Sequence, residues 1–155
     1  MNRRAILPAM SDASTVGLGS MVVEEGATSS SRTARAIRFF LLFEAATYVG
    51  AALAHFGIFV TGYEHRAAGT AESVIAGVLL IGWVATWEGP TFSRGIGLAT
   101  QTFALLGTFV GLFTIVIGVG PRTVPDLAYH ISIVAVLIWG LVVAKRTPPG
   151  ARSSA

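Results

Sequence analysis

Four apolar stretches, each interrupted by few charges and divided by short polar links, set the pattern of this chain. A helix rises about 1.5 Å per residue, so roughly 20 apolar residues cross the hydrocarbon layer of a bilayer. On that basis the chain predicts spanning helices over 37–60, 71–87, 96–118 and 126–144. The second is short, but suffices with Glu72 and Glu88 at its two interfaces and Trp83 and Trp87 anchoring one end. Pro125 stands at a first-turn position ahead of the fourth, which Lys145 and Arg146 close. The links 61–70, 88–95 and 119–125 are short, so consecutive spans are expected to be antiparallel neighbours. The expected fold class is an all-α membrane protein, an up-down-up-down bundle of four transmembrane helices.

The flanks lack this pattern. Residues 1–31 are rich in Ser, Thr, Gly and Ala and read as a flexible cytoplasmic tail. The apolar bit after Arg3 and Arg4 is cut by Pro8 and is too weak for the core of a signal peptide. Residues 32–146 form the transmembrane domain, and 147–155, TPPGARSSA, a second flexible tail.

Composition strengthens the membrane assignment. The chain has 155 residues, 53% of them hydrophobic and 12% charged, with a mean hydropathy of +0.69. It has no cysteine, which excludes disulfides, thiolate metal ligands and thiol catalysis. Nine of the eleven Lys and Arg lie in the N-terminal segment up to Arg38, the second link and the C-terminal segment from Lys145, leaving Arg66 and Arg122 for the first and third links. The positive-inside rule then places both termini in the cytoplasm of a bacterial inner membrane. The basic balance suits anionic lipid, and the absence of a basic–aromatic module argues against a nucleic-acid partner.

Ionisable residues inside such spans carry the candidate chemistry, because charge is costly in hydrocarbon and normally faces a protein interior or a wet cavity. Glu44 and His55 are eleven residues apart, close to three helical turns, and so share a face with Tyr48 between them. With the predicted orientation, His55, Glu64, His65, Glu72, Asp126 and His130 all fall towards the outer side. His55, Glu72 and His130 form the expected core of a transition-metal site for zinc, iron, copper or manganese. Asp126 is then a supporting acid, and His65 or Glu64 a lid ligand. Such a centre allows redox or hydrolytic chemistry. Haem held between His55 and His130 is a weaker variant of the same idea.

Two other classes stand beside it. Glu44, with Gln101 as its partner, is a candidate proton-coupling carboxylate for a small proton- or ion-coupled transporter. The polar residues also fit a non-catalytic helper subunit, holding helices together by contacts worth about 0.6–2 kcal/mol each. Gly107 and Gly111, continued by Gly118, and Ala46, Gly50 and Ala54 are small-residue faces suited to close helix packing within the bundle or to a homo-oligomer.

The segments AALAHFG, Ala71–Glu72 and FALLGTFVGLFTIVIGVGPRTVPDLAYH resemble small four-span membrane proteins of high-GC bacteria, DoxX-like in outline. The resemblance covers about residues 37–145. It implies the four-helix fold and the grouping of His55, Glu72 and His130, and implies no activity.

Overall fold

A computed structural model describes residues 13–146, with side chains from residue 31 onward except at 90 and 91. It is helical throughout: α1 (Ala13–His55), α2 (Arg66–Ala85) with a short 3-10 turn at Thr86–Glu88, α3 (Pro90–Ile117) and α4 (Val124–Arg146). Four segments are long and apolar enough to cross a membrane: Ser31–His55, Arg66–Glu88, Phe92–Ile117 and Val124–Arg146. The chain is thus a multi-pass membrane protein. Large apolar residues such as Phe39, Ile81, Phe113 and Trp139 face outward, as they do where lipid replaces water.

Each helix buries one narrow stripe. On α1 it is Ile37, Leu41, Glu44, Tyr48, Ala52 and His55; on α2, Glu72, Ile75, Leu79 and Gly82. On α3 it is Gly97, Gln101, Ala104 and Thr108; on α4, Asp126, His130, Ile133, Leu137, Gly140 and Ala144. Steps of three and four residues define the narrow seam of a helix bundle, against a lipid-facing remainder. Every pair of helices meets substantially except α2 and α4, so α1 and α3 lie across the short diagonal.

The ends of the helices differ from those predicted, for local reasons. α1 stops at His55 rather than Val60, because Gly57 turns left-handed (φ 74°). Its N–H and that of Ile58 return to the carbonyls of Ala54 and Leu53, a Schellman close. α2 starts at Arg66, five residues early, because the His65 ring accepts the Ala68 N–H and caps it. Glu72 consequently lies in the second turn, buried, and not at the helix mouth. α3 begins at Pro90, in a first-turn position after Gly89, and ends at a left-handed Gly118. Thr123 and Asp126 cap α4 reciprocally: the Thr123 hydroxyl bonds the carboxylate and receives the Asp126 N–H. Where a tail was predicted over 1–31, α1 is already helical from Ala13, while residues 1–12 and the tail at 147–155 lie outside the described residues.

The glycines predicted as packing faces divide in use. A side chain at Gly107 would meet Ile75 at 2.8 Å, and one at Gly111 the His130 ring at 3.1 Å, so that face is consumed inside the bundle. At Gly50 the space is open.

Candidate functional site

The polar residues buried along the α1 stripe form three tiers. In the first, Glu44 and Gln101 are both fully enclosed, at 0% exposure. The Gln101 amide donates to the two carboxyl oxygens of Glu44 at 3.0 and 3.1 Å. Gly140 makes the room: a Cβ there would stand 2.8 Å from Glu44 Oε1 and overlap the Gln101 amide. The sequence-based pairing of Glu44 with Gln101 is therefore a direct contact across α1 and α3.

One turn along α1, the Tyr48 hydroxyl bonds the Thr108 hydroxyl, which donates to the Ala104 carbonyl at 2.7 Å. The Tyr48 ring packs edge-on against Tyr129, which stands edge-on to His130 in turn. Neither tyrosine was singled out as a site residue from sequence, although the Glu44–Tyr48 spacing of four puts them on one face.

The third tier is the centre of the site. His55 Nδ1 lies 2.7 Å from Glu72 Oε2, and its Nε2 lies 3.1 Å from Asp126 Oδ1. All three residues are buried. Each ring nitrogen faces one carboxyl oxygen, so the imidazole bridges the two acids whichever group holds the proton at each contact. The triad joins α1, α2 and α4. Asp126, expected as a supporting acid, is a direct partner of His55. These are the ion pairs among the described residues.

The other predicted residues have separate places. His130 donates from Nδ1 to the Asp126 carbonyl at 2.7 Å, one turn back on its own helix. Its Nε2 is thereby left as an acceptor. His65 caps α2 with Nδ1 and donates from Nε2 to the Val119 carbonyl at 3.2 Å, tying α2 to the end of α3. It stands edge-on to His55, with ring centroids 6.5 Å apart. Glu64 is exposed, outside the spans, and accepts the Gly62 N–H at 3.0 and 2.9 Å. That backbone donor holds its carboxyl below the usual carboxylate range. Both residues thus shape the connection between α1 and α2.

Two cavities flank the triad. One, of about 160 Å³, lies between α2, α3 and α4 and is lined by Tyr48, Glu72, Thr108, His130 and apolar neighbours including Ala71 and Ile75. Glu72 Oε1 is buried without a hydrogen-bond partner. The other, of about 570 Å³, opens between α1 and α4 against His55, Asp126, Tyr129 and Thr47.

No family model matches this chain, and no curated protein or solved structure is detectably similar to it. What the site can do must therefore come from its own geometry. Among the described residues no three His, Asp or Glu side chains are arranged to hold one metal ion. His55 can join a metal only by giving up one of its carboxyl partners, because both ring nitrogens are engaged. What stands assembled is a set of proton-bearing groups spaced along one helix face.

Proposed function

We propose that the chain is a small proton-coupled carrier of the cytoplasmic membrane. Its four helices run up-down-up-down with both termini inside. Glu44 is the inner protonation site, and the Glu72–His55–Asp126 triad the outer one. The short connections and the Lys and Arg distribution support the topology.

One observation carries the functional assignment: Glu44 is fully buried in a membrane span, met by the Gln101 amide and by no cation among the described residues. An unpaired carboxylate in hydrocarbon is far costlier than a neutral acid. A carboxyl so placed holds a proton at rest and releases it when its surroundings open. Tyr48 lies between it and His55 on the same buried α1 stripe. The test is proton movement in vesicles carrying a pH-sensitive dye, screened against small cationic, anionic and neutral solutes. A solute-dependent flux that disappears in Glu44→Gln is expected. Absence of flux with every solute, or full flux in that variant, overturns the proposal.

A transition metal is the second reading, favoured by Glu72 and His130 lining one cavity. These supply two ligands, fewer than the three or four such metals usually take from protein.

A further inference from the structure

The end of the bundle opposite the triad, where α2 passes into α3, gathers cations that no acid matches among the described residues. Arg32, Arg35 and Arg38 stand on α1, Arg94 on α3, and Lys145 and Arg146 on α4. A Cβ at Gly97, one turn from Arg94, would lie 2.7 Å from Ile37 and 3.7 Å from Ala144, the residues next to Arg38 and Lys145. Three helices therefore bring basic residues to one level. Against them stands Glu88, which is exposed, while the ion pairs among the described residues are those of His55. Glu24 and Glu25 lie about two turns farther out along α1.

Arg38 is held in place, unlike a loose surface cation. Its Nε donates to Thr86 Oγ1 at 3.2 Å, and its Nη2 to the Thr86 carbonyl at 2.7 Å. The guanidinium stands over the Trp87 ring, 4.3 Å from its centroid. Thr86 is a firm support, fully buried and tied to α3 by the Ser93 hydroxyl, which donates to the same carbonyl at 3.1 Å. Two of the five guanidinium N–H groups are thus used. The edge formed by Nη1 and the second hydrogen of Nη2 has no partner among the described residues, and Nη1 is not enclosed. A planar fork of this kind matches two oxygens of one phosphate.

We propose that this edge of Arg38 receives the phosphate of an anionic phospholipid, where α1 meets the end of α2. Thr86 and Trp87 close the second apolar segment, which ends at Glu88, so the fork stands at headgroup depth. Phe39 follows Arg38, and Val84 lies one turn from Trp87; these two and Trp87 are more than half exposed and face the acyl chains. The unmatched cations favour a headgroup of net negative charge over a zwitterionic one, whose own cation they repel. A free phosphate ion would leave the apolar surface unused. The site requires only that the helices span a bilayer, and is independent of the carrier function.

The test is quenching of Trp87 fluorescence in the full chain carrying Trp83→Phe and Trp139→Phe, reconstituted in phosphatidylcholine vesicles. A minor fraction of the lipid is replaced by dibrominated phosphatidylglycerol or, in parallel, by dibrominated phosphatidylcholine. Quenching by the anionic lipid is expected at about fivefold lower mole fraction, the scale of one Lys or Arg contact with an anionic surface. Unbrominated phosphatidylglycerol should relieve it, and inorganic phosphate should not. Arg38→Gln should abolish the preference, and Arg38→Lys, which keeps the charge and loses the fork, should reduce it. Arg146→Gln should leave most of it. Equal quenching by the two lipids before any arginine is changed overturns the site, even where Arg38→Gln fails to fold. A preference unchanged in Arg38→Gln, or lost equally in Arg146→Gln, overturns its placement at Arg38. Relief by inorganic phosphate overturns the lipid as occupant.

Discussion

Glu64 shows how a single residue can belong to the fold and not to the chemistry. Its carboxylate closes on the Gly62 N–H in an exposed turn, and its folded value therefore lies below that of the unfolded chain. A group lowered in this way stabilises the fold above its unfolded value and ceases to do so as pH falls through the folded one. Acidification through the carboxylate range should therefore loosen the turn at 57–64, read as a lower protection of the Gly62 amide relative to the unstructured exchange rate at the same pH. Glu64→Gln should show low protection of that amide at every pH; high, pH-independent protection in the parent protein would contradict the assignment. His65 is a similar case. A histidine before an apolar helix gives little sign of capping it, since Ser, Thr, Asp and Asn are the usual caps. The direct place of Asp126 beside His55 was equally hidden, because the register between α1 and α4 is not written in either helix alone. The Thr123–Asp126 capping pair was not singled out either, although its spacing of three is a sequence signal of a helix start.

At the scale of elements, apolar length located all four spans, whereas their limits depended on single residues. Gly57 is the clearest. Its left-handed φ of 74° ends α1 at His55, and a side chain there would also press on Glu64 Cγ at 2.9 Å. The exposed Glu64 chain can yield, so the backbone strain dominates. Gly57→Ala should cost about 1–2 kcal/mol in reversible unfolding from mixed detergent micelles. Gly140→Ala acts between elements instead, forcing α4 away from the Glu44–Gln101 pair, which has no slack at 0% exposure. About 1–3 kcal/mol is expected from such overpacking, measured by the same unfolding transition. An unchanged midpoint would mean the pair is looser than its enclosure implies. Gly107 and Gly111 were recognisable as close-packing residues, but only the assembled bundle assigns Ile75 and His130 as what they admit.

For the molecule as a whole, His55 is the residue on which the polar end is built. Its two ring nitrogens hold two buried carboxyl groups from different helices. His55→Ala leaves both without a cation, and breaking a buried pair typically costs about 3–5 kcal/mol. Unfolding of the purified variant should show a loss of that size, larger than for either glycine change. A loss under about 1 kcal/mol would mean that the acids are solvated or neutral without the ring. The grouping of His55 with Glu72 was readable from order along the chain, and the shared face of Glu44 and His55 from their spacing. That the two ring nitrogens would both be taken was not, and this is what moves the functional assignment away from a metal centre.

The bundle's long diagonal gives the triad a mechanical meaning. α2 and α4 scarcely touch, yet Glu72 on one and Asp126 on the other grip opposite edges of the same imidazole. That ring is a coupling rod: a tilt of either outer helix pulls on its counterpart through a single side chain borne by a third. A neutral ring donates to only one of the two acids, so loss of one proton would free one of the two helices from that grip.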